Sequence, residues 1–272
     1  MQHANFYKGD GTGEFYFTNF SLNGHDGVLS TLNCNDVKLD FNSYIKLQGN
    51  MVATNTDIKA TYLRIATEGS FKMYGGSLTL SGTQNEPTYY IFGKMTLNNV
   101  KFESSGYFVS SYGVDGNTDE PNKGDVVFSG STSFTGDKLI VEDEGALSII
   151  DTATVDVNSL DATNLSVSSD AKVSVSSLQN LSIDNLNMIM NDDYALNFSD
   201  IFISDDGETI SFSTVDTTIS VFDKNGNQYE NVEFAYDDNG NITGIAAVPE
   251  PSECAVLFGA LAAAIAIYRR RR

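Results

Sequence analysis

The chain has 272 residues and a formal net charge of −20, from 16 basic and 36 acidic residues. The last four residues are arginines, so residues 1–247 hold only 12 basic groups against 34 acidic ones. Such a surface repels phosphate backbones and excludes nucleic acid as a partner, while the length suffices to bury a real core. Cys34 and Cys254 are too few for a disulfide framework. With two histidines, no tryptophan and a single arginine (Arg64) before the tail, the residue types that usually carry catalysis are scarce.

The opening MQHANFYKGDGTGEFYF contains no basic stretch followed by an apolar run of roughly 7–15 residues, so it is not a secretory signal as it stands. EFYFTNF, from Glu14 to Phe20, already reads as strand, and we expect the chain to start inside a repetitive fold whose N-terminal part is incomplete. From there to about residue 200 the chain is a series of short alternating segments: DVKLDF, YIKLQG, IKATYLRI, SFKMY, SLTL, YYIF, KMTL, VKF, DVVFSG, KLIVE, ALSII and TVDV. Alternation at period two, rich in β-branched and aromatic residues and broken by Gly, Asn, Asp and Ser, is the strand pattern. No amphipathic stretch long enough for a stable helix precedes the tail. The body is all-β.

Strands this short with breaks this tight favour a parallel β-helix, a solenoid with coils of roughly 20 residues, over a β-sandwich, which is the alternative. The stretch from Leu160 to Met190 carries the pattern best. Leu165, Val167, Val173, Val175, Leu178, Leu181, Ile183, Leu186 and Met188 are expected to point inward, with Asn164, Asn180 and Asn185 at corners. No strict repeat length emerges. From residue 200 the alternating runs lengthen, and Asp206-Gly207, Asn225-Gly226 and Asn239-Gly240 signal tight turns. The expected organisation is therefore a β-helix body over 1–199, a small antiparallel hairpin unit over 200–247 that caps the solenoid, and a distinct tail over 248–272.

Chemistry is hard to find in this pattern. Asp115, Asn117 and Asp119 alternate like the start of a calcium loop, but Glu120 stands where the loop needs Gly and Val126 where it needs a carboxylate. Asp223 to Asn227 imitates such a loop too, and fits a hairpin turn better. Glu142, Asp143 and Glu144 form the tightest acidic cluster and read as a solvated turn. A lyase acting on acidic sugars needs grouped cations, whereas the lysines are scattered singly; a hydrolase needs paired carboxylates, and no spacing marks a pair. Tyrosines such as Tyr89 and Tyr90 could stack on sugars, yet on strands this short they are more often packing residues. We assign no catalytic residue, metal ligand or cofactor.

The tail reads VPEPSECAVLFGALAAAIAIYRRRR. Its apolar run from Ala255 to Tyr268 would form a helix of about 21 Å, short of the roughly 30 Å hydrocarbon core. The arginines would stay on the cytoplasmic side. The order of Val248, Pro249, Glu250 and Pro251, the apolar stretch, and then Arg269, Arg270, Arg271 and Arg272 closely resembles the PEP-CTERM sorting domain of Gram-negative bacteria. The resemblance covers about 25 of the 272 residues. It implies an exported protein, transiently inserted in the inner membrane through its tail and processed there by an exosortase. Such proteins are associated with the cell surface, exopolysaccharide, biofilm or adhesion. Family members normally carry an N-terminal export signal, a pattern that the opening MQHANFYKGDGTGEFYF does not show, which fits an expected incomplete N-terminus. The acidic repetitive body resembles autotransporter passengers in texture. The sequence reading is thus a non-enzymatic surface or matrix protein. Its alternatives are a polysaccharide-degrading enzyme on the same fold and a tail-anchored protein with a binding ectodomain.

Overall fold

The computed structural model describes residues 3–7, 14–17, 20–23, 29–82, 87–110, 124–142, 144–191 and 195–248. Its strands are joined almost entirely by parallel ladders into a 21-stranded sheet wound as a solenoid. Parallel pairing of each strand with one in the next coil rules out the sandwich.

Each coil presents three faces in the same order. In one coil the first half of Asn50–Ala60 lies on the first face, its second half on the second, and Tyr62–Ile65 on the third. The chain then returns to the first face with Ser70–Leu80, where Asn50 pairs with Ser70 and Asp57 with Ser77. Thr154–Ser168 runs through a whole coil as one strand: Thr154 to Val157 pair on the second face, Ser159 to Ala162 on the third, and Leu165 to Val167 on the first.

The burial pattern explains why the fold closes. Strands alternate buried and accessible residues, as in Lys172–Val175 and Tyr62–Ile65, so each rung sends two apolar side chains inward. Parallel register then stacks like upon like. On the first face Met51, Phe71, Met95, Val126, Leu147, Leu165 and Leu186 form one continuous inner column, each at most 1% exposed. Phe102, Phe128 and Phe134 fill the middle of the core, with ring centroids 4.7 to 6.1 Å apart. Of the nine residues expected inward between Leu165 and Met188, seven are buried, and Leu178 and Leu181 pack against the core partly exposed.

The corner between the first and second faces has its own rule. Asp36, Asn55, Asn99 and Asp151 all have positive φ (48° to 58°), and Gly75, Gly76 and Gly130 occupy the same corner in other coils. The chain must turn sharply there without losing register, and the left-handed conformation does this; only Gly, Asn and Asp adopt it at low cost. Asparagine does take left-handed corners, at Asn55 and Asn99, but none of the expected Asn164, Asn180 and Asn185 has positive φ. Asn164 and Asn185 work through their amides instead: Asn164 Nδ2 donates to the Gly145 carbonyl (3.0 Å), and Asn185 Nδ2 to the Thr163 carbonyl (3.1 Å). Buried Thr132 satisfies its hydroxyl on the Ser129 and Leu97 carbonyls (2.7 and 3.1 Å), so the corner buries no unpaired oxygen there.

Parallel pairing continues past residue 199. Phe202–Ser204 pairs with Lys172–Val175, and Thr218–Asp223 with Leu181–Met190. A separate antiparallel sheet joins Leu196–Asn197, Glu233–Tyr236 and Ile242–Ala247. Asn239-Gly240 turns between the last two of these strands. Asn225-Gly226 turns the chain so that Gln228 bridges back to Phe222, and Asp206-Gly207 follows the solenoid strand Phe202–Ser204. Phe198, Phe202 and Phe212 pack edge to face beneath this sheet at 5.4 to 6.4 Å.

Two glycines with the same backbone conformation test the corner rule. At Gly76 (φ 87°) an added Cβ would lie 2.1 Å from the Thr56 carbonyl oxygen, while at Gly207 (φ 74°) it would meet nothing within 4 Å. Gly76→Ala is expected to destabilise by about 2 kcal/mol or more and Gly207→Ala by about 1 kcal/mol, read from urea unfolding midpoints. Equal shifts would refute the steric account. Phe102→Ala is expected to cost about 3–5 kcal/mol in the same measurement.

Candidate functional site

Since side chains alternate, every outward position of a strand becomes part of a column running along the solenoid, with rungs about 4.8 Å apart. The surface is thus organised by register, and three places concentrate polar or aromatic groups.

On the second face, Glu14, Lys38 and Asp57 stack in one column, with Tyr16, Asp40 and Lys59 in the next. Together with Ser77 they line a shallow groove. Lys38 Nζ lies 3.4 Å from Glu14 Oε1, Tyr16 donates its hydroxyl to Glu14 Oε2 (3.2 Å), and Ser77 donates to Asp57 Oδ1 (2.7 Å). The hydrogen bond to Glu14 holds the Tyr16 phenol above its usual range. The columns alternate in sign, the arrangement that cross-strand charge pairs favour.

On the third face, Tyr44 lies opposite Tyr62 and Lys46 opposite Arg64, and Arg64 is in turn opposite Tyr90 in the next coil. The Tyr62 and Tyr90 rings meet edge-on at 6.0 Å, and Tyr90 stacks in parallel on Phe92 at 6.1 Å. The Arg64 guanidinium sits 5.4 Å from the Phe92 ring centroid, within cation–π range. Partial burial raises the Tyr62 phenol above its usual range, with Arg64 opposing. One lysine, Lys46, and Arg64, the single arginine before the tail, therefore face each other across one ladder step. The sequence carried a signal for it: YIKL at 44–47 and YLRI at 62–65 are the same tetrapeptide in chemical terms, one coil apart.

The third place is a set of aspartates at terminal turns. Asp206 accepts from Ser177 Oγ (2.7 Å), Leu178 N (3.3 Å), Glu208 N (3.1 Å) and Ser204 Oγ, tying the strand Phe202–Ser204 to the preceding coil. These bonds, the one from Ser204 foremost, lower its carboxyl to about 2. Asp223 accepts from the Asn225 and Asn227 amides at 2.8 Å, and Asp237 likewise from Asn239 and Asn241 at 2.9 Å. Both carboxyls are lowered by these bonds, Asp223 foremost by the Asn227 side chain and Asp237 by the Asn241 backbone. Asp223 thus uses its oxygens to build a turn, as the hairpin interpretation of that loop requires. Among the described residues no three His, Cys, Asp or Glu side chains converge to hold a metal.

The remaining candidates are quickly placed. Glu142 and Glu144 are exposed beside a turn closed by Gly145 N–H on the Glu142 carbonyl (2.9 Å). Asp115, Asn117, Asp119 and Asp143 lie outside the described residues. Cys34 is buried in the core, where desolvation pushes its thiol up to about 12 and keeps it protonated. Of the sorting motif, Val248 is buried at 4% exposure and belongs to the core, while Pro249, Glu250, Pro251, Ala255, Tyr268 and Arg269 to Arg272 lie outside the described residues. Among the described residues no helix is long and apolar enough to cross a membrane.

No protein-family model matches this chain, and neither the curated proteins nor the solved structures contain a match to it. Function has to be argued from the chain's own residues.

The Asp206 cluster yields a pH prediction. Its folded pKa lies below the ordinary 3.8, so its contribution is fully present above about pH 4 and is lost as pH falls towards about 2. Thermal midpoints taken from pH 5 to pH 2 should fall less steeply for Asp206→Asn than for the parent chain. Parallel curves would show that the cluster is not linked to folding.

Proposed function

We propose that the chain is a non-enzymatic, exported surface or matrix protein, sorted by an exosortase through residues 248–272 and associated with exopolysaccharide, biofilm or adhesion. The observation that carries this reading is the three-part order of the tail: Pro249-Glu250-Pro251, the apolar run from Ala255 to Tyr268, and Arg269 to Arg272. An apolar run of 14 residues is too short for a comfortable helical span, which suits transient insertion. Val248 is buried in the core, so a cut near Pro249 to Pro251 leaves that residue in place. The terminal antiparallel sheet serves as a cap that shields the last coil's edge, which would otherwise invite strand addition. A rigid, acidic, repetitive body with outward Ser, Thr and Asn columns suits a solvated stalk or matrix component.

Intact-mass measurement of the native protein, in cells with and without the exosortase, tests the sorting reading. A mass loss mapping near Pro249 to Pro251, seen only when the enzyme is present, is the expected result. A chain still running to Arg272 in both strains would instead indicate a tail anchor.

A second reading has one observation in its favour. The second-face groove brings the carboxylates of Glu14, Asp40 and Asp57 to one side of the solenoid, which is where a glycan-cleaving site would need them. Interleaving by Lys38 and Lys59, and the bonds already made to Glu14 and Asp57, favour a structural role. If the groove is catalytic, the protein releases reducing ends from an acidic polysaccharide, and Asp57→Asn lowers that rate by about a hundredfold or more. Release of no reducing ends from acidic polysaccharides is the outcome expected here.

A further inference from the structure

Among the described residues, outward charges that face each other in neighbouring coils are opposite in sign with one exception. Glu14 pairs with Lys38, Lys38 with Asp57, Asp40 with Lys59, and Lys94 with Asp125. On the third face, Lys46 faces Arg64. Like charges directly opposite are destabilising in a sheet, and the remedy is cheap in a chain this rich in acids. The pair is also framed by rings. Tyr44 and Tyr62 face each other two residues earlier on the same strands, Tyr90 follows Arg64 in the next coil, and Phe92 supports the guanidinium. All of Tyr44, Lys46, Tyr62, Arg64 and Tyr90 are outward and half-buried.

We propose that this third-face strip, Lys46 and Arg64 with Tyr44, Tyr62 and Tyr90, binds a carboxylate-bearing polysaccharide strand. The inference rests on the reading of the body as an exopolysaccharide-associated protein and names the surface and the glycan class. The guanidinium fork of Arg64 suits a carboxylate, and Lys46 supplies a second positive charge one rung away. A bound carboxylate between them turns their mutual repulsion into two attractions. Tyrosine rings pack against the apolar face of a sugar while their hydroxyls bond its edges. Rungs spaced about 4.8 Å apart match the length of one sugar unit, so a strand lying along the solenoid axis meets one rung per residue. The acidic remainder of the protein repels the same polymer at long range. Binding is therefore confined to this strip and persists as salt screens that repulsion, unlike attachment to a polybasic surface.

The test uses the full 272-residue chain in detergent micelles, with alginate as the uronate polymer and dextran as the neutral one. Titration calorimetry should show binding to alginate and none to dextran, maintained between low and physiological salt. Lys46→Gln and Arg64→Gln should each weaken alginate binding about tenfold. Lys46→Gln should also leave the thermal midpoint unchanged or raised, because it removes a repulsion; a residue with a merely structural role would lower it. Failure to bind alginate, equal binding of dextran, or affinity indifferent to both substitutions would overturn the proposal. These outcomes are separate from those of the sorting experiment: a processed tail with no alginate binding sinks only the glycan strip. An unprocessed tail with alginate bound sinks only the sorting reading.

Discussion

Everything in this molecule depends on one constraint: each coil must place its inward pair directly over the inward pair of the coil before it. Parallel strands pair with neighbours distant in the chain, so register is held by packing and by corners rather than by a hairpin turn. A slip of one residue would turn Leu63 and Ile65 outward and bring Tyr62 and Arg64 into the core. The inner column from Met51 to Leu186 shows how strictly the rule is kept. It also explains the corner column, since Asp36, Asn55, Asn99 and Asp151 let the chain change direction without shifting the phase of the next strand.

The same constraint writes the surface. Residues far apart in sequence become neighbours at rung spacing, and their compatibility is tested pair by pair. Opposite charges answer each other on the second face, and hydroxyls and amides do so elsewhere, as where Asn158 Nδ2 bonds Asp137 Oδ1 at 2.7 Å. A net charge of −20 is tolerable in such a structure because the carboxylates are spread along a length rather than packed around a sphere. Against this background a stacked lysine and arginine among tyrosines stand out as a departure from the local rule.

Much of the fold was legible, and the part that was not has a simple cause. Strand alternation and most of the inward residues between Leu165 and Met188 follow from local chemistry, whereas the left-handed asparagine corners fall at Asn55 and Asn99 rather than at the expected Asn164, Asn180 and Asn185. The repeat length stayed hidden because the coils are unequal. Partners in adjacent coils are 20 residues apart at Asn50 and Ser70 and 21 at Asp137 and Asn158, but 31 at Asn98 and Ser129. Insertions between faces leave the register intact while destroying the period. The end of the parallel ladder was equally invisible, because Phe202–Ser204 and Thr218–Asp223 resemble hairpin strands until their partners are known. Of the candidate sites, the tail's motif could be read directly, whereas the third-face strip showed only as the likeness of YIKL to YLRI.

The sequence by itself determined an all-β body of alternating strands, an acidic surface and a C-terminal segment of quite different composition. Those properties are local: they depend on side-chain type, period and order along the chain. Only the tertiary structure decided that the strands pair in parallel, and which outward residues share a rung. It also decided that Lys46 and Arg64, one coil apart in sequence, face each other across a single ladder step. The physical reason is that a solenoid's contacts join one coil to the next, and the distance between coils along the chain varies while the distance in space does not.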